Sequence, residues 1–88
     1  MQSFAIQKGN VIQKIDSKIN IFDYNNSYLY TLNKSATEIF SYIKRGLSVN
    51  KIIGTIEKKY SIPHKRAEKD VNELIADLLK KNILLIKR

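Results

Sequence analysis

Eighty-eight residues with no cysteine, and with 16 Lys/Arg against 8 acids for a net charge of +8, allow one modest core and exclude disulfides and thiolate metal sites. The lone histidine, His64, cannot build a zinc centre or a catalytic cluster, so no catalytic residue, metal or cofactor is expected and the chain reads as a non-enzyme. Its longest apolar run, Ile83 to Ile86, is far short of the ~20 residues that cross a bilayer, and Gln2, Gln7, Lys8 and Asn10 break up any signal-like core; a cytoplasmic protein of one domain over residues 1–88 is the expectation.

In chain order, the first segment admits a short strand at Phe4-Ala5-Ile6 and a turn at Gly9-Asn10. From Val11 to Leu32 the apolar residues follow a period of two, with Val11, Ile15, Ile19 and Ile21 on one face and Phe22 and Tyr24 on the other. That pattern predicts strands over 11–15, 19–24 and 28–32. Asp16-Ser17-Lys18 and Asn25-Asn26-Ser27 break them, and the asparagine pair suits a tight hairpin turn.

At Asn33 the period becomes helical. Ala36, Ile39, Phe40 and Ile43 predict a helix near 34–45, capped by Asn33 or Ser35, with Ser35 and Glu38 at capping-box spacing and Gly46 as the stop. Ser48 caps a second helix carrying Val49, Ile52, Ile53 and Ile56 and closing at Lys58-Lys59-Tyr60. Pro63 opens a third, whose stripe Ala67, Val71, Leu74 and Leu78 is flanked by Ile75 and Leu79 and ended by Asn82. The tail Ile83 to Ile86 is expected to pack back on the core.

Charge is uneven: residues 1–33 hold three Lys against two Asp, and residues 34–88 hold thirteen Lys/Arg against six acids. Such a balance suits an anionic partner, or is a solvated basic face. Glu68, Asp70, Glu73 and Asp77, interleaved with Lys, read as the solvated face of the third helix rather than as an acid/base pair.

Leu32-Asn33 opening a helix with Ser35-Ala36, Gly46 before Ser48-Val49, the Ile52/Ile53 pair, Tyr60, and Asp70-Val71 with Leu74 and Leu78 form an ordered set over roughly residues 11–86. This set resembles the PqqD family, the recognition elements for ribosomally made, modified peptides (RiPPs). The spacing from Ile21-Phe22-Asp23 to Tyr28-Leu29-Tyr30-Thr31-Leu32-Asn33 is similar to the small stand-alone proteins of lasso peptide pathways. Two positions depart from the family: Ser27 stands for a hairpin glycine, and Pro63 with His64-Lys65-Arg66 for an acidic or Ser-type helix cap.

The resemblance implies an α+β fold, winged helix-turn-helix-like, with a three-stranded antiparallel sheet followed by three helices. It also implies non-catalytic binding of a precursor leader peptide and its delivery to a modifying enzyme, whether peptidase, cyclase or radical-SAM maturase. A leader strand would add antiparallel to Tyr28, Leu29, Tyr30, Thr31 and Leu32, beside a wall on the third helix made by Lys69, Asn72, Ile75, Ala76 and Leu79. Lys65, Arg66 and Lys69 would steer an acidic leader. An open strand edge also allows a homodimer as well as a monomer.

The rival reading is a winged-helix DNA-binding protein, which the net charge favours. Against it, acids run through the middle of the third helix, the strands precede the helices, and arginine occurs only at Arg45, Arg66 and Arg88. No nucleic-acid or membrane partner is therefore expected.

Overall fold

The computed structural model describes residues 3–87. In order they form β1 (Ser3–Ile6), β2 (Asn10–Ile15), β3 (Lys18–Asp23), β4 (Tyr28–Thr31), α1 (Lys34–Lys44), α2 (Val49–Tyr60), α3 (His64–Lys80) and β5 (Leu84–Lys87). Strands β2, β3 and β4 make an antiparallel meander with β3 central, and the three helices cover one of its faces. This is an α+β, winged helix-turn-helix-like architecture.

Register decides which residues the meander buries. Val11 pairs with Phe22 and Phe22 with Leu29, so these three share one row; Ile12, Ile21 and Tyr30 form the next, on the opposite face. A two-residue turn, Asp16-Ser17 with φ of 52° and 66°, joins β2 to β3 and puts odd positions of one strand opposite even positions of the other. The expected grouping of Val11 and Ile15 with Ile19 and Ile21 is thereby overturned. Ile19 and Ile21 are 4% and 0% exposed, whereas Val11 and Ile15 are 40% and 53% exposed on the far face with Phe22 and Tyr24.

Asp23, buried at the end of β3, organises the next turn. Its Oδ1 accepts from the backbone N–H groups of Asn25 (3.0 Å) and Asn26 (3.3 Å), and its Oδ2 from the Asn26 side-chain amide (2.9 Å). The left-handed residue is Ser27, at φ 58°, and not the asparagine pair that the sequence suggests. Ser27 carries a Cβ where glycine would be unstrained, at a cost of about 1–2 kcal/mol. Ser27→Gly is therefore expected to raise stability by about 0.5–1 kcal/mol after the added unfolded-state entropy, read as a higher urea midpoint at unchanged slope.

Asn33 caps α1, its side chain accepting from the Ala36 N–H at 2.8 Å, while the Ser35 hydroxyl donates to the Asn33 side chain. The capping box expected of Ser35 and Glu38 does not form. Glu38 turns instead toward α2, accepting from the hydroxyls of Tyr42 and Tyr60 and pairing with Lys59 at 3.1 Å. Burial raises the Glu38 carboxyl, but the hydrogen bonds from Tyr60, Tyr42 and Lys59, with the Lys59 charge, outweigh it and hold the group below its ordinary 4.5. A carboxyl depressed in the folded state stabilises above its unfolded pKa, and that contribution is lost as the pH falls through the folded value. Glu38→Gln is expected to lower the urea midpoint at pH 7, and the gap from wild type to narrow as the pH falls below the ordinary carboxylate value and through the lower folded one.

Ile39, Phe40 and Ile43 from α1, Ile52, Ile53 and Ile56 from α2, and Ala67, Val71, Ile75 and Leu78 from α3 close the core over Ile19 and Ile21. Ser48 caps α2 through the Lys51 N–H, and Pro63 sits just before α3 without a side-chain cap. His64 there meets the carboxylate of Glu57 at 2.7 Å.

The first and last described strands pair with each other. β1 and β5 form a separate antiparallel ribbon, with Phe4 opposite Ile86 and Ile6 opposite Leu84, continued by the Gln7 N–H donating to the Ile83 carbonyl at 2.8 Å. This ribbon packs against α1 and α3. It leaves β4 paired with β3 alone among the described residues.

Candidate functional site

β4 is an edge strand with one side open. The Leu32 N–H donates to the Ile19 carbonyl at 2.9 Å, which fixes the alternation: the backbone groups of Tyr28, Tyr30 and Leu32 face β3, and those of Leu29 and Thr31 face outward. Two N–H and two C=O groups are thus offered to an extended chain.

Beside this edge lies a groove of about 420 Å³ between the start of α1 and the side of α3. Asn33, Ser35, Ala36 and Ile39 form one side, and Asp70, Glu73, Leu74 and Asp77 the other. At its far end it shares Ser35, Ile39 and Asp70 with an apolar pit of about 270 Å³ lined also by Ile56, Tyr60, Ile62 and Arg66. Tyr30 and α3 are bridged by Lys81, whose Nζ lies 4.9 Å over the Tyr30 ring and 2.7 Å from an Asp77 carboxylate oxygen. Tyr28 stacks obliquely on Tyr30, with centroids 6.1 Å apart.

Of the residues expected in the site, Leu29 and Thr31 supply the outward backbone, and Tyr28 and Tyr30 stand beside it. Leu32 is buried, with its backbone turned to β3, and belongs to the core. The structure does not bring the expected α3 residues to this groove. Ile75 lies in the core, Leu79 packs half-buried against it, and Lys69, Asn72 and Ala76 are exposed outside the groove. At about 100° per residue, Asn72, Ala76 and Leu79 lie on average about 140° around α3 from the groove-lining Asp70, Glu73, Leu74 and Asp77. The α3 side of the groove is acidic, and Lys69 reaches it only through a 3.9 Å contact to Glu73.

Among the described residues there is no cluster of three or more His, Cys, Asp or Glu placed to hold a metal, and no helix long and apolar enough to cross a membrane. The arrangement suits capture of a chain in extended form, by backbone pairing along β4 and side-chain contact in the groove.

Comparison with known proteins agrees with this fold. The structure superposes on that of TbiB1 in complex with the TbiA(beta) leader peptide with a TM-score of 0.83, at 22% identity over 90% of this chain and 92% of the other. It superposes on lasso peptide synthetase B1 complexed with its leader peptide with a TM-score of 0.89, at 19% identity over 94% of this chain and 98% of that one. No curated protein matches the chain significantly. The family model for coenzyme PQQ synthesis protein D (PqqD) matches residues 19–84, from the second residue of β3 through all three helices to the first residue of β5. The chain belongs to the PqqD family.

Proposed function

We propose that this protein binds the leader segment of a ribosomally made precursor peptide and delivers it to a modifying enzyme, in lasso peptide biosynthesis or a related RiPP pathway, without catalysing a reaction itself. The observation that carries the reading is the unpaired outer edge of β4 beside the α3 groove, left open because β1 and β5 pair with each other. Both structural neighbours named above were solved with a leader peptide bound, which supports the same use of this fold.

Magnitudes show how the work divides. Four backbone hydrogen bonds at about 0.5–1.5 kcal/mol net each total about 2–6 kcal/mol, which reaches only the low end of an association cost of about 4–15 kcal/mol and leaves little for affinity. Side chains must supply most of the affinity: Tyr28 and Tyr30 beside the β4 edge, and in the groove Leu74 between the carboxylates of Asp70, Glu73 and Asp77. The acidic wall also disfavours phosphate, so the helix that would enter a DNA groove is the wrong sign for it.

The experiment is titration of the purified protein with the leader peptide of the precursor encoded beside it, against a scrambled peptide of equal composition. Saturable 1:1 binding of the leader alone is expected; equal binding of the scrambled peptide, or a gel shift with random duplex DNA at moderate salt, would sink the reading.

A further inference from the structure

We propose that β2, the other edge of the meander, is a second strand-addition site, which takes an acidic polypeptide segment in extended form and holds its carboxylates in a basic pocket between β2 and the end of α1. The inference goes beyond the leader-binding reading and does not depend on it, since it concerns the edge of the sheet opposite β4.

Strand β2 pairs with β3 alone among the described residues, because the chain turns off at Gly9 (φ 92°) and β1 joins β5 instead. The Tyr24 N–H donates to the Gly9 carbonyl at 2.8 Å, which fixes the alternation along this pair: Val11, Gln13 and Ile15 turn their backbone groups to β3, and Ile12 and Lys14 turn theirs outward. The side chains of Ile12 and Lys14 lie on the helix-covered face, in register with the buried Ile21 and Ile19. With Ile19 they form one side of a depression of about 250 Å³, and Ser41, Lys44 and Arg45 at the end of α1 form the other. In an antiparallel chain laid along β2, the residues opposite Ile12 and Lys14 would both pair with their backbone and set their own side chains over this pocket.

Charge selects the occupant. Lys14, Lys44 and Arg45 are exposed, and none of them forms an ion pair among the described residues. The Ser41 hydroxyl already donates to the Thr37 carbonyl at 2.8 Å, so the three cations supply the donors of the pocket. The dipole of α1 accounts for cations at its last turn, and a lysine on an edge strand guards against self-pairing, but neither role requires the three to converge on one pocket from two elements. A helix end of this polarity offers carbonyls rather than the N–H cradle that phosphate finds at an N-terminus. An apolar floor of Ile12 and Ile19 below the cations suits carboxylates carried on an aliphatic stem. A second copy of this chain would bring another +8 toward them. The two open edges thus differ in sign on their helix side: Asp70, Glu73 and Asp77 beside β4 repel the carboxylate-rich segment that the β2 pocket accepts.

The test titrates the isotope-labelled full-length protein with a capped octapeptide of alternating Glu and Thr, reading backbone amide shifts by NMR. Controls are the Lys/Thr counterpart, inorganic phosphate, random duplex DNA, and two forms of the Glu/Thr peptide, one N-methylated at its glutamates and one at its threonines. Expected are saturable shifts at Ile12, Lys14, Lys44 and Arg45 with a dissociation constant of about 1 mM or tighter. Glutamates over the pocket are the residues whose backbone faces β2, so N-methylation there is expected to weaken binding at least about fivefold, and N-methylation of the threonines no more than about twofold. Lys14→Gln/Lys44→Gln, neutral changes at exposed positions, is expected to weaken it at least about fivefold with the amide spectrum otherwise unchanged. No shift along β2, shifts centred on Leu29 and Thr31 instead, equal loss with the two methylated peptides, or a response to the Lys peptide, phosphate or DNA that matches the Glu peptide each overturns the proposal. A leader titration of the same sample is read at Leu29 and Thr31, so the β4 reading and this one fail separately.

Discussion

Leu29→Pro is expected to weaken leader binding at least tenfold while Leu29→Ala weakens it no more than about threefold, with both variants folded. Proline removes an N–H that points away from β3, so the β3–β4 ladder keeps its Tyr28, Tyr30 and Leu32 bonds. Its ring restricts the preceding residue to extended backbone, which Tyr28 already adopts in β4. Edge strands tolerate proline for this reason. The Leu29 side chain is common to both losses, so the difference between the two variants isolates the backbone. Titration calorimetry with the leader reads the difference, and circular dichroism checks the fold. Equal affinities for the Pro and Ala variants would mean that the leader does not pair along β4.

Thr37→Val is expected to cost about 1–3 kcal/mol of stability, and Thr37→Ser much less. Ile19 and Leu32 face each other where β3 meets the end of β4, and the Leu32 N–H reaches the Ile19 carbonyl directly. The return bond is not direct. The Ile19 N–H donates to the Thr37 hydroxyl at 2.9 Å, and that hydroxyl donates to the Leu32 carbonyl at 3.2 Å. Thr37 is 4% exposed, so no water can take over when the hydroxyl is lost. Valine keeps the volume and strands one buried donor and one buried acceptor; serine keeps both bonds and removes a methyl group. Urea denaturation of the three proteins measures the cost. A valine variant as stable as wild type would show that Ile19 closes directly on Leu32. Because this hydroxyl links α1 to the base of β4, the same substitution also reports how firmly the edge is held beside the groove.

Local features were legible in the sequence because local physics makes them. Period two located β2, β3 and β4, and helical spacing located all three helices to within a residue or so at most ends. The PqqD resemblance rested on those same elements and holds. What failed needed information that no short window contains. The two-residue turn at Asp16-Ser17 sets the parity between β2 and β3, and with it the exposure of Val11 and Ile15. On α3 the stripe of Ala67, Val71 and Leu78 marked the buried side, but which flank looks toward β4 depends on how the helix packs. Asp70, Glu73 and Asp77 are solvated, as the spacing predicts, and only the packing shows that they line the groove beside α1. The pairing of residues 3–6 with 84–87 joins segments about as far apart as the chain allows, and neither half announces its partner.

That last pairing has a practical meaning. With Ser3 across from Lys87, both ends of the described chain emerge at one spot, on a ribbon that shares no sheet with β4. A passenger tethered upstream and one tethered downstream would hang from the same place, and the order in which two such genes were fused would not change which side of the molecule greets the peptide.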